Sequence, residues 1–132
     1  MKKNLLLTII CVLGLFGSLC AQKTITLGEG KDYSSDLPYN NSWCYSASQQ
    51  LYRSDELNIE DVAKIESVAF KSASENLNES YIQIYMKNTS KSSYIEAAEW
   101  VPVTANDKVF EGYIHTTGLD EWSTIELTTP FI

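Results

Sequence analysis

The sequence predicts an all-β protein built as an antiparallel β-sandwich of the jelly-roll type, with a closed barrel as the alternative. Apolar and polar residues alternate with a period of two in short segments, as in YIQIYMK at 81–87, and no heptad or internal repeat interrupts this pattern. Clusters of Gly, Asn, Asp and Ser separate the segments at regular spacing, which is typical of short strands joined by polar turns.

The first 21 residues precede the predicted sandwich and have the features of an export signal. Two lysines are followed by an apolar run over 5–16 and by small residues that favour cleavage between Ala21 and Gln22. The run is shorter than the roughly 20 residues of a membrane span, although a retained anchor is an alternative. A second alternative is a lipoprotein anchored at Cys20. Leu19 disfavours it, because the residue before a lipidated cysteine is normally small. We expect an exported protein, secreted or on the outer cell surface, without an integral membrane segment after cleavage.

Residues 22–132 form the predicted single domain. A helical turn is expected only within 54–63, with Ser54 or Asp55 as its N-cap. The sequence ends shortly after the last predicted strand, which would leave an exposed sheet edge. We therefore expect a sandwich that is incomplete at its C-terminal end and lacks its last strands. The predicted strands are 23–27, 44–53, 64–72, 81–87, 108–114 and 122–127.

The charge of the chain excludes some partners. Loss of Lys2 and Lys3 with the signal leaves 8 basic against 17 acidic residues, a net charge of −9. The remaining lysines are scattered among acids and form no basic cluster. Binding to nucleic acid or to an anionic membrane surface is therefore not expected.

The cysteine and histidine content argues against an enzyme. Removal of Cys11 and Cys20 leaves Cys44 alone, so an internal disulfide is impossible; a buried thiol is favoured over a reactive or intermolecular one. The only histidine, His115, alternates with apolar residues as a surface strand position does. The G-x-S-x-G motif of a serine nucleophile is absent.

No cofactor is predicted either. With one histidine and one mature cysteine, a structural or catalytic zinc site is close to excluded. Structural calcium would need oxygen ligands such as Glu29, Asp32 and Asp36, but their spacing matches no compact calcium loop and favours a solvated one.

Aromatic residues are the remaining candidates for a site. The 3 tryptophans and 8 tyrosines exceed what a small core needs to bury, although a tryptophan in a strand is most often a core residue. Exposed rings stack on sugars or anchor protein partners. Tyr39, Trp43 and Tyr45 cluster near one predicted turn and form the predicted ligand-binding platform.

Seven stretches lie in order between 39 and 131: YSASQQLY (45–52), IESVAF (65–70), IYMK (84–87), KSSY (91–94), WVPVTANDKVFEG (100–112), WSTIEL (122–127) and TPF (129–131). Together they resemble a β-sandwich module of secreted and cell-surface proteins from Gram-negative anaerobes, found alongside cleaved-adhesin and haemagglutinin-type domains. The resemblance implies a jelly-roll-like module, often joined to other domains, with adhesion or ligand binding as its role and no catalytic residues. Such modules continue past the final Pro-Phe with further strands.

Three functions follow as hypotheses. The first is a non-catalytic binding or adhesion module for a glycan or a host or surface protein. The second is an N-terminal accessory domain of a larger secreted hydrolase, which an open reading frame into a catalytic domain past Ile132 would favour. The third is a structural subunit completed by another chain, which a well-behaved monomer would exclude.

Overall fold

The computed structural model of the chain describes residues 22–28, 38, 45–59, 62–73, 79–96 and 99–132. This part is mostly β, which confirms the predicted all-β character. The strands near 64–72, 81–87, 108–114 and 122–127 are all present with shifted ends. They are β1 (Ile65–Lys71), β2 (Glu79–Tyr85), β3 (Lys108–His115) and β4 (Trp122–Phe131), with a short 3₁₀ turn at Ala105–Asp107 before β3.

The four strands form two small antiparallel sheets. β1 pairs with β4, and β2 pairs with β3, so one pair lies in sequence between the two members of the other. β3 and β4 also contact each other without sharing a hydrogen-bonded ladder. This contact connects the two sheets.

The core lies along β3 and β4. Val109 and Ile114 of β3 and Ile125 and Leu127 of β4 are the buried apolar residues of the described part, each no more than 8 % exposed. In β4 the buried residues alternate with exposed ones, as the period-two pattern predicted. A core of this size explains why no described side chain is completely excluded from solvent.

One polar residue shares this core. Ser123 is buried, and its hydroxyl lies 3.3 Å from the backbone nitrogen of Thr117 and 3.2 Å from the Thr117 hydroxyl. Thr117 belongs to the connection from β3 to β4. The same connection is tied to the end of β1, where the backbone N–H of Asp120 donates to the carbonyl of Ser72 over 2.9 Å. These bonds satisfy the polar groups where the two sheets meet.

The two predicted strands nearest the N-terminus are wrong for the described residues. Residues 23–27 and 45–53 are not assigned to a strand, and neither segment forms a ladder with another described segment. A side chain connects the second segment instead. The Gln49 amide accepts from the backbone N–H of Val101 over 2.7 Å, donates to the Val101 carbonyl over 2.8 Å, and accepts from the Tyr94 hydroxyl over 2.9 Å. The Gln49 side-chain amide thus bonds both backbone groups of Val101, as the backbone of a neighbouring strand would.

The predicted helical turn is present but short. It covers residues 54–58, and Arg53, rather than Ser54 or Asp55, takes the N-cap position, where its backbone N–H donates to the Glu56 carboxylate over 2.8 Å. Asn58 ends the turn at φ 48°, and the N–H of Ile59 donates back to the Ser54 carbonyl over 3.0 Å. These bonds follow the pattern of a Schellman motif, in which an Asn in the left-handed conformation ends the turn.

Candidate functional site

The predicted platform lies mostly outside the described residues. Tyr39 and Trp43 are not described, nor is Cys44. Tyr45 is described and is 95 % exposed. The exposed ring is consistent with a binding role, but the clustering of the three aromatics stays a prediction.

The tryptophans of the described part are not core residues. Trp122 of β4 is 49 % exposed and Trp100 is 51 % exposed. The expectation that a strand tryptophan is buried is therefore wrong for Trp122. It alternates with Ser123 and Ile125, which take the inward positions of β4.

The most organised polar surface is the outer face of β2 and β3, which we call the tyrosine face. Residues directly opposite each other on two antiparallel strands share a face, and successive pairs on that face are two residues apart. Three such pairs lie next to one another on the solvent side. They are Tyr81 with Tyr113, Gln83 with Glu111, and Tyr85 with Lys108.

Two tyrosine rings form one end of the tyrosine face. The ring centroids of Tyr81 and Tyr113 are 5.2 Å apart, and the ring planes meet at 69°, an edge-to-face arrangement. Tyr81 is 53 % exposed and Tyr113 is 65 % exposed. Each ring therefore contacts its neighbour and still presents a large part of its surface to solvent.

A hydrogen-bonded network holds these side chains in place. Glu111 Oε1 accepts from the Tyr81 hydroxyl over 2.5 Å and from Gln83 Nε2 over 2.7 Å, and Glu111 Oε2 accepts from Lys108 Nζ. The Tyr85 hydroxyl donates to Gln83 Oε1 over 3.0 Å. All three pairs of the tyrosine face are thus connected through a single carboxylate.

The network changes the acidity of its members. Hydrogen bonds from Lys108, Tyr81 and Gln83, in that order of importance, lower the pKa of Glu111 to about 2. The bond to Glu111 raises the pKa of Tyr81, because loss of its proton would bring two negative charges together. The same carboxylate raises the pKa of Lys108. At neutral pH the lysine and the glutamate are both charged and compensate each other.

A β-bulge places Lys108 in this network. Ile84 and Tyr85 are consecutive in β2, but their partners in β3 are two residues apart, so Val109 is an extra residue. Side chains three apart in a regular strand lie on opposite faces, and a bulge reverses the alternation. The extra residue therefore turns Lys108 toward Glu111 and leaves Val109, 5 % exposed, in the core.

One further pair extends the same face beyond the two rings. His115 Nε2 lies 3.4 Å from Glu79 Oε1, and both side chains are largely exposed. The structure thus places His115 at a surface position of a strand, as its alternation with apolar residues predicted.

The described residues present no metal centre. No three His, Cys, Asp or Glu side chains come together within these ranges in a way that could hold an ion. Glu29, Asp32 and Asp36 lie outside them, so the calcium loop weighed from the sequence is not tested.

The sequence alone predicts one strand of the tyrosine face. The alternation in 81–87 places Tyr81, Gln83 and Tyr85 on one polar side, but it also puts Lys87 there. In the structure β2 ends before Lys87, whose Nζ donates to the Pro102 carbonyl over 3.0 Å. No local signal identified the partners from β3, because a strand's partner and its register are not set by its own sequence.

Comparison of the chain with protein-family models, with curated proteins and with solved structures gave no match. Among the residues that the structure describes, no helix has the length and apolar character needed to cross a membrane.

Proposed function

We propose that this chain is an exported, non-catalytic binding module, secreted or held at the cell surface, whose two small sheets are parts of a jelly-roll-like β-sandwich. Its ligand is a glycan or a surface protein, and its binding surface is the tyrosine face. The observation that carries the proposal is the exposed, hydrogen-bonded row of aromatic and amide side chains across β2 and β3.

Order before binding supports this role. Association costs about 0.5–1.5 kcal/mol for each flexible side chain that becomes fixed, so side chains that are already held lower the cost of binding. Tyr81, Gln83 and Glu111 are held by one another. Tyrosine suits such a surface because its ring is apolar, its hydroxyl is polar, and few torsions must be frozen.

The acidity of Glu111 supports binding rather than catalysis. A general base is most effective when its pKa lies near the working pH. Glu111, with a pKa of about 2, is a weak base, and three protein donors already occupy its oxygens. Its role in the proposal is to hold Tyr81 and Gln83 in position.

Binding arrays test the proposal. The purified exported protein is applied to immobilised glycans and to a panel of immobilised extracellular-matrix proteins. We expect saturable retention without chemical change of the ligand. The double variant Tyr81→Ala, Tyr113→Ala should lose this retention, whereas Trp122→Ala, which removes a comparable half-exposed ring from β4, should keep it.

Circular dichroism of both variants checks that the fold survives. Retention that is equal in the wild-type protein and the double variant would remove the tyrosine face from the proposal. If the folded wild-type protein is retained on neither array, the binding function is refuted.

A further inference from the structure

We infer that the ligand of the tyrosine face is a neutral saccharide chain, bound by stacking on the tyrosine rings and by hydrogen bonds to uncharged groups. This inference rests on the proposed function and names the ligand class for the same surface. Three properties of the face favour it: its central charges, Lys108 and Glu111, form an ion pair, its amide and phenol groups keep free hydrogen-bonding capacity, and its ring surfaces are open.

The central charged groups of the face pair with each other, since Glu111 is bonded to Lys108. An ionic ligand would have to compete with this contact for either charge. A neutral ligand leaves the ion pair intact and gains from the order it imposes.

Uncharged groups of the face keep free hydrogen-bonding capacity. The Gln83 amide carries two N–H donors, and only one of them is used by Glu111. Within the described part of the chain, the Tyr113 hydroxyl has no hydrogen-bond partner, and the Tyr85 hydroxyl can still accept. Amide and phenol groups of this kind match the hydroxyls of a sugar, each of which both donates and accepts.

The rings provide the apolar part of the site. The face of an aromatic ring is electron-rich and attracts the slightly positive C–H groups of a sugar ring. Tyr113 and Tyr81 expose 65 % and 53 % of their surface, and their planes differ by 69°, so the two rings face different directions. From this pair to the Lys108 row the face runs four residues along β2, about 13 Å, which accommodates a short oligosaccharide.

Charge and composition disfavour the other ligand classes. The chain without its signal carries a net charge of −9, which repels sulfated or uronic-acid polymers. Protein partners bind most strongly where aromatic anchors fill desolvated pockets. On the tyrosine face the rings stand beside paired ions and hydroxyls instead. A neutral saccharide is not repelled by the net charge of the chain, and it binds a surface of exposed rings and hydroxyls without a desolvated pocket.

Affinity electrophoresis measures this directly. The native protein is run in gels that contain a neutral glucan, mannan or galactan, and in gels that contain alginate or heparin. We expect retardation by at least one neutral polymer and by neither acidic one. Tyr113→Ala should weaken the apparent affinity about tenfold or more, through loss of stacking. Tyr113→Phe should weaken it less, because it keeps the ring and loses only the hydroxyl. Trp122→Ala should change nothing.

The outcomes separate this inference from the function on which it rests. Retardation by acidic polymers alone would overturn the neutral-saccharide assignment. So would binding to the matrix-protein panel that depends on Tyr81 and Tyr113 without any retardation by a neutral polymer; in that case the binding function stands and the ligand is a protein. Absence of retardation in every gel together with absence of protein binding overturns both.

Discussion

Replacement of Lys108 by methionine removes the contact that does most to lower the pKa of Glu111. In the wild-type protein that pKa is about 2, against 4.5 for an ordinary glutamate. Lys108→Met keeps much of the aliphatic side chain and removes the ammonium group, with its charge and its hydrogen bond to Glu111. The pKa of Glu111 should therefore rise but stay below 4.5, because the hydrogen bonds from Tyr81 and Gln83 remain.

The sign of the pH dependence follows from the direction of the shift. A carboxyl whose pKa is lower in the folded chain contributes stability above its unfolded pKa, and this contribution is lost as the pH falls through the folded value. For Glu111 the network is complete above about pH 4.5 and is lost toward pH 2. In Lys108→Met the loss should occur at a higher pH.

The assay is a pH titration of the side-chain carboxyl carbons by NMR. Lys91→Met is the matched control, because Lys91 is the leading cause of the lowered pKa of Glu99. Each lysine variant should raise the pKa of its own glutamate and leave the other unchanged. Moderate salt should weaken both effects only partly, since the Debye length of about 8 Å at physiological ionic strength exceeds these contact distances. A wild-type Glu111 that titrates near 4.5, or one that does not respond to Lys108→Met, would refute the network.

Three further predictions concern stability and are measured by urea unfolding. Ile125→Ala opens a cavity in a small core and should lower the free energy of unfolding by about 3 kcal/mol, whereas its exposed neighbour variant Thr124→Ala should change it by less than about 0.5 kcal/mol. Equal losses of unfolding free energy in the two variants would mean that Ile125 is not part of the core. Gln49→Ala leaves the N–H and carbonyl of Val101 without their partner and should cost about 2 kcal/mol; a neutral result would mean that water replaces the amide. Asn58→Ala puts a less tolerant side chain at φ 48° and should cost about 1 kcal/mol, while Asn58→Gly should be close to neutral; the reverse order would contradict the left-handed end of this turn.

The four strands that the sequence predicts correctly share one property. Each of them, β1 to β4, pairs with another strand of the chain in a hydrogen-bonded ladder. The predicted strands at 23–27 and 44–53 have strand-like composition, but their described residues form no ladder with other described residues. Composition alone cannot form a strand, because its backbone groups need a hydrogen-bonded neighbour.

The candidate site divides in the same way. That Tyr81, Gln83 and Tyr85 share a polar side follows from the chain alone, since side chains in any extended backbone alternate between two faces. The partners of these residues depend on the tertiary structure. The register of β3 against β2 places Tyr113 and Glu111 opposite them, and the bulge at Val109 turns Lys108 to the same face. Alternation is a property of neighbouring residues, whereas register and bulge arise only when two segments distant in sequence pair and one contains an extra residue.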